Sequence, residues 1–195
     1  RTKVAMTMHI RTNPWDSFFA RLQVKVIDNC TSSVIFITEN EKKRYVELGG
    51  SEDHGVVIYN SVEIGDNNLH SPRPSLGSNF IICALANYSY LRGLDLLIDV
   101  AICLKKIKAT KVKFIIAGDI SLTKSLPGKL GEIGRRKGDL SDYAKEMKVD
   151  DMFIFLGHVS NTKRVLLSSN LLVRPNREKN PWGRDILEAL SLGVP

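Results

Sequence analysis

Arg174-Pro-Asn-Arg-Glu-Lys-Asn-Pro-Trp-Gly-Arg-Asp-Ile-Leu-Glu-Ala-Leu-Ser-Leu-Gly-Val-Pro195 closes the chain and decides how the rest is read. It follows Leu171-Leu172-Val173, an apolar run that reads as a buried strand, and it opens a helix near Gly183. Ile186, Leu187, Ala189, Leu190 and Leu192 fall at helical spacing, which predicts one inward face. The first helical N–H groups, at Gly183, Arg184 and Asp185, have no partner within the helix. With the positive end of the helix dipole they form an anion site. Glu188, one turn further in, is a carboxylate able to accept hydrogen bonds from sugar hydroxyls. An anion site beside a polyol acceptor suggests a pocket for a nucleotide-activated sugar.

Upstream of this stretch, strand and helix patterns alternate. Phe80–Leu85, Val112–Ala117, Met152–Leu156 and Leu171–Val173 are nearly continuous apolar runs, while Leu94–Ile107, Asp139–Met147 and Thr162–Ser168 carry helical patterns. Alternation with strands this apolar predicts a parallel, doubly wound α/β sheet of Rossmann-like type. No G-x-G-x-x-G follows a strand and no Walker A sequence occurs, which argues against a dinucleotide or P-loop site. Ser121–Lys137 fits no element and reads as a flexible basic loop. Gly65–Asn79, rich in Asn, Ser, Pro and Gly, reads as an interdomain linker. Before it, Val4–Met8 reads as a strand delivering His9 to a loop. Phe18–Ile27 and Glu39–Leu48 read as helices, and Ser33–Ile37 and Val56–Tyr59 as strands.

The chain has 195 residues, 43% of them hydrophobic, enough for a packed core. No apolar run approaches a membrane span, and no signal peptide is visible. Cys30, Cys83 and Cys103 lie far apart with no CxxC, so each reads as a buried thiol in a reducing compartment. His54, His70 and His158 lack metal-ligand spacing and read as ordinary surface or loop residues, and no metal site is expected. The net charge is +7, and the basic excess lies after Gly65, mainly in Lys105–Lys113 and Lys124–Lys148. Such a face attracts phosphates or anionic lipid, or is simply a solvated lysine surface. No aromatic RNA-binding motif interleaves these lysines, which argues against nucleic acid.

The closing stretch resembles the donor-site signature of family-4 retaining glycosyltransferases of the GT-B fold. Pro175 matches the proline after the strand, Trp182-Gly183 the aromatic–glycine pair, and Glu188-Ala189-Leu190 with Gly193-Val194-Pro195 the second glutamate, helix and exit. The first glutamate of the signature falls on Asn180, which can hydrogen-bond a sugar hydroxyl but brings no charge; Glu178 can substitute if the loop folds back. The loop after Phe80–Leu85 is similar to the family's phosphate loop. Arg92-Gly93 matches its Lys-Gly pair, whereas Asn87 stands where an arginine is expected. Val112–Asp119 matches a family strand, as does Asp151–Val159, reading Asp-x-x-x-x-Leu-Gly-x-Val. Nearer the start, His9, Thr38-Glu39 and Ile58-Tyr59-Asn60-Ser61-Val62 match, in order, the end of the acceptor-side domain.

The resemblance implies residues 1–65 as a remnant of an N-terminal acceptor domain, 66–78 as a linker, and 79–195 as a nucleotide-sugar domain truncated at its C-terminus. A start at Arg1 and an end just past a helix fit a piece of something longer. It also implies metal-independent transfer without a cofactor, from a nucleotide sugar to a glycan or lipid-linked acceptor. The setting would be cytoplasmic, with possible peripheral contact at the inner membrane face. In that scheme Arg92 and the amides of Gly183, Arg184 and Asp185 hold the diphosphate and Glu188 the ribose. Asn87, Glu178, Asn180 and Trp182 complete the donor site, and His9 reaches the reaction centre from the other side. Two rivals remain at this stage: a degenerate binder without turnover, and a nucleotide-sugar epimerase. The second needs a pair of acid/base carboxylates facing the sugar, and none is visible.

Overall fold

A computed structural model describes residues 5–11, 18–62, 79–109, 111–177 and 183–195. The expected linker, at 66–78, falls outside these residues. The chain divides into two compact units, Arg1–Val62 with Lys179–Arg184, and Glu63–Glu178 with Asp185–Pro195.

The second unit is built on four parallel strands: β4 (Phe80–Leu85), β5 (Val112–Ala117), β6 (Phe153–Gly157) and β7 (Leu171–Leu172), in spatial order β6-β5-β4-β7. Side chains alternate across a strand, so a run that is apolar throughout must be covered on both faces. Ala84, Phe114 and Ile116 point into one core, joined by Leu97, Ile98 and Ala101 of α3 (Leu96–Lys106) and Leu140 and Ala144 of α5 (Leu140–Glu146). Ile81, Cys83 and Ile115 point into the other, against Val165 and Leu166 of α6 (Thr162–Leu167), Ala189 of α7 (Arg184–Ser191) and Val194. This is a doubly wound α/β sheet, as the sequence pattern predicts. Asn170 fastens β7 to β4: its Oδ1 accepts from Ile81 N at 2.7 Å, and its own N–H donates to Ile81 O at 2.8 Å.

The first unit carries a separate parallel sheet in the order β1-β2-β3, made of Thr7–Ile10, Ser33–Phe36 and Gly55–Val57. α1 (Phe18–Cys30) packs on it through Ala20 and Val24, and α2 (Glu39–Glu47) through Tyr45, whose ring lies 5.2 Å from that of Phe36.

Several sequence expectations are corrected. Residues 121–137 are not simply a basic loop: α4 (Gly128–Arg135) forms there and buries Leu130 and Ile133. Three glycines mask it, because glycine weakens a helix. At Gly131 the glycine is required, since a Cβ would lie 2.1 Å from the carbonyl oxygen of Leu126. β1 runs through His9 rather than ending before it, and α1 continues to Cys30. Only Cys83, on the central strand, is buried; Cys30 and Cys103 sit on outward helix faces. Leu190 is exposed, so the inward face of α7 centres on Ala189. His54 is no bare surface residue. Its Nδ1 lies 3.1 Å from Asp28 Oδ1 and its Nε2 2.9 Å from the carbonyl oxygen of Thr31.

Candidate functional site

In the second unit the chain steps from β4 to β5 to β6 on one side, then crosses to place β7 on the other side of β4. The connections leaving β4 and β7 therefore diverge to opposite faces of the sheet. Open α/β sheets bind ligands in the crevice at such a switch point, outside the carboxyl ends of the strands. A cavity of about 230 Å³ lies there. Its apolar wall includes Ala84–Ala86 and Pro175, and its polar groups are Arg92, Arg174, Asn176 and Asp185.

The rim after β4 is tied down before it reaches Arg92. Ala86 N donates to Ala117 O at 3.0 Å and Tyr88 N to Asp119 O at 2.5 Å. Asn87 Oδ1 accepts from Asp119 N at 2.9 Å, so this side chain links the ends of β4 and β5. Arg92 N donates to Ser89 O, closing a turn, and Gly93 follows with φ +66°. A Cβ at Gly93 would sit 2.9 Å from Pro175 O, so both its backbone angle and this close approach call for glycine. The Arg92 guanidinium touches Asn87 O at 3.4 Å and is otherwise presented at the cavity edge.

A pair the sequence reading did not single out binds the two rims together. Arg177 donates to both carboxylate oxygens of Asp95, at 2.9 and 2.5 Å, and Asp95 is only 5% exposed. The same guanidinium donates to Tyr90 O at 2.6 Å and lies 4.1 Å from the Tyr90 ring centre, and Arg177 N donates to Leu91 O at 2.8 Å. The forked guanidinium fits a carboxylate with two parallel bonds, and the buried setting strengthens them. The hydrogen bonds that Arg177 donates to the Asp95 carboxylate hold the Arg177 pKa above its usual value. The Tyr88 hydroxyl is buried near Asp95 without a hydrogen bond of normal geometry; burial, then the Asp95 charge, push its pKa up.

α7 begins at Arg184, as the sequence predicts within a residue. Asp185, in its first turn, lines the cavity, with its Oδ2 3.8 Å from Arg174 Nε. Glu188 is half-buried one turn further along; its Oε2 accepts from Thr162 Oγ1 at 3.3 Å, and it is not part of the cavity wall. Gly183 is half-buried and Arg184 exposed. His9 is exposed on β1 of the first unit, paired in register with Ile35. Glu178, Asn180 and Trp182 lie outside the described residues. Among the described residues, no cluster of three His, Cys, Asp or Glu side chains could hold a metal ion, and no helix is long and apolar enough to cross a membrane.

Of the residues singled out from sequence, Arg92 and Asp185 line the cavity, and Asn87 stands on the rim with its Oδ1 bonded to Asp119 N. Arg174, Asn176, Arg177 and Asp95 were missed. Arg174 and Arg177, either side of Pro175-Asn176 after a strand, were the one sequence signal for a cationic rim.

Two guanidinium groups and the first turn of a helix converge on a crevice that a single carboxylate offsets only in part. Such an arrangement has the charge and the donors to attract an anion of phosphate type. The fold is a parallel α/β domain of the GT-B class. The chain belongs to the glycosyl transferases group 1 family, whose model matches residues 67–195.

No curated protein matches the sequence. Among solved structures, Anabaena Alr3699/HepE, in complex with UDP and glucose, is 20% identical with a TM-score of 0.75, over 98% of this chain and 52% of that one. An S. aureus TarM mutant, in complex with fondaparinux, alpha-GlcNAc-glycerol and UDP, is 19% identical with a TM-score of 0.70, over 98% and 36%. WaaG, a glycosyltransferase involved in lipopolysaccharide biosynthesis, is 12% identical with a TM-score of 0.65, over 97% and 55%. The chain thus spans between about a third and about half the length of these relatives.

Proposed function

We propose that this chain carries the nucleotide-sugar site of a retaining, family-4 glycosyltransferase that moves a sugar from a nucleoside diphosphate to a glycan or lipid-linked acceptor. The observation that carries the reading is the convergence of Arg92, Arg174 and the start of α7 on the cavity at the switch point. HepE bound to UDP and glucose, and TarM bound to UDP and glycan ligands, support it by likeness of fold. In the reaction, the bond from the anomeric carbon to the diphosphate breaks, the diphosphate leaves with the electron pair, and an acceptor hydroxyl bonds the same face of that carbon, its proton passing to the departing diphosphate. Arg92, Arg174 and the α7 amides meet the charge on the leaving group, so the transfer runs without a metal. Pre-placed donors of this kind stabilise charge as it develops. Glu188 binds ribose hydroxyls, Asn180 or Glu178 the sugar beside Trp182, and the role of His9 rests on the resemblance of its strand. The setting proposed is cytoplasmic, with peripheral contact at the inner membrane face.

Calorimetric titration with UDP, GDP, ADP and their common sugar conjugates tests the donor site. One nucleotide should saturate the chain, and Arg92→Ala and Glu188→Ala should each weaken it by about 1.5–3 kcal/mol, the value of a charged hydrogen bond. Binding to none of them, or binding indifferent to both changes, overturns the reading.

One observation favours a second reading, a binding module without turnover: Asn87 spends its side chain on Asp119 N and supplies no cation to the site. Restoring Asn180→Glu in the intact protein separates the two. A gain in transfer sinks the binding module; no gain sinks the assignment of the sugar to position 180.

A further inference from the structure

Asn176 lines the cavity beside Arg174 and Pro175, and its Oδ1 is buried with no hydrogen-bond partner. Buried polar atoms in native proteins are almost always paired, and an unpaired one on a residue that lines a cavity points to a ligand that completes the bond. The chemistry of the missing partner is constrained. A carboxamide oxygen accepts, so the ligand atom must donate. The diphosphate that Arg92 and Arg174 attract offers only acceptor oxygens at neutral pH, whereas a hydroxyl of an attached sugar offers a donor.

We infer that Asn176 reads the donor substrate by accepting a hydrogen bond from one of its hydroxyl groups, next to the phosphate-binding arginines. This rests on the nucleotide-sugar reading of the same cavity. It adds a specificity-determining residue, and it gives the two polar sides of the cavity different tasks. The guanidinium groups hold charge common to every nucleotide, while Asn176 responds to the polyol.

The test is titration of the full chain and of Asn176→Ala with UDP, GDP and ADP and with UDP-glucose, GDP-mannose and ADP-glucose, alongside the thermal midpoint of each unliganded protein. The expected result is about a tenfold loss of affinity in the variant, the value of one neutral hydrogen bond. The unliganded midpoint should be unchanged or higher, because the change removes an unsatisfied buried oxygen. A loss confined to the sugar nucleotides assigns the hydroxyl to the transferred sugar; an equal loss for the parent nucleotide assigns it to the ribose. Asn176→Leu fills a similar volume without an acceptor and carries the same expectation should the alanine variant fail to fold. Unchanged affinity for every compound, with wild-type binding intact, overturns the inference and leaves the donor reading standing. Wild-type protein that binds none of the six overturns both.

Discussion

Both sheets of this chain are built of parallel strands, yet they are finished differently. In the second unit both faces of the sheet are covered, and Phe114 at its centre is 0% exposed. In the first unit the inner side of α1 is buried at Ala20 and Val24, while its outer side leaves Phe18 and Phe19 77% and 78% exposed, with Leu22 and Val26 beside them. An apolar side chain contributes to folding only through the water it leaves behind. Residues of one chemical type therefore do opposite things in the two units. The phenylalanines of β5 and β6 hold a core, their rings stacked with centres 4.9 Å apart, whereas those of α1 present bare apolar surface.

The largest effect that sharpens this contrast comes from one substitution made in both places. Phe114→Ala should lower stability by about 3–5 kcal/mol through the cavity it leaves, and Phe19→Ala by less than about 0.5 kcal/mol. Denaturant unfolding of the two variants, followed by hydrogen exchange of β4–β5 and of α1, measures both. Similar losses would break the comparison.

Next in size is the clamp across the cavity rims. Arg177→Ala strands the buried Asp95 carboxylate and should lower the stability of the second unit by about 2–3 kcal/mol, discounted because Arg177 is partly solvated. The exchange rates of residues 86–95 should rise while those of β1–β3 stay unchanged. If the first unit loosens equally, the two do not respond as separate bodies.

Acid should act on the first unit through one identifiable group. The N–H of Ser51 and the Tyr45 hydroxyl donate to Asp28, and together with His54 they hold its carboxyl below the usual carboxylate range. A carboxylate whose folded pKa is lowered stabilises above its unfolded value, roughly pH 4, and loses that contribution as the pH falls through the folded value. Protection of α1 and α2 should therefore drop on acidification, and Asp28→Asn should flatten that drop. An identical acid profile in the variant would remove Asp28 from the explanation.

The smallest effects belong to the second unit. Lys108, Lys137 and Lys148 each follow a helix end with φ near +60°, a left-handed conformation where glycine is at ease and lysine is not. Glycine at any one of them should raise stability by about 0.5–1 kcal/mol, the relief of the backbone exceeding the entropy that glycine adds to the unfolded chain. A fall in the thermal midpoint would contradict this.

The sequence by itself determined the alternation of strands and helices in the second unit, because each apolar run and helical stripe is a local pattern. It also determined the start of α7 and the place of Arg92-Gly93 in the loop that follows β4. α4 escaped, since its packing is decided by the contact of Gly131 with Leu126 rather than by helix propensity. The tertiary structure alone decided the polar architecture of the site. Arg177 and Asp95 stand 82 positions apart and meet only because β7 crosses to the far side of β4. Asn87 Oδ1 meets Asp119 N, 32 positions on, and Asn176 Oδ1 is a buried acceptor only in the folded chain. Period and propensity belong to neighbours along the chain; a hydrogen bond or an orphaned oxygen belongs to neighbours in space, which only folding assembles.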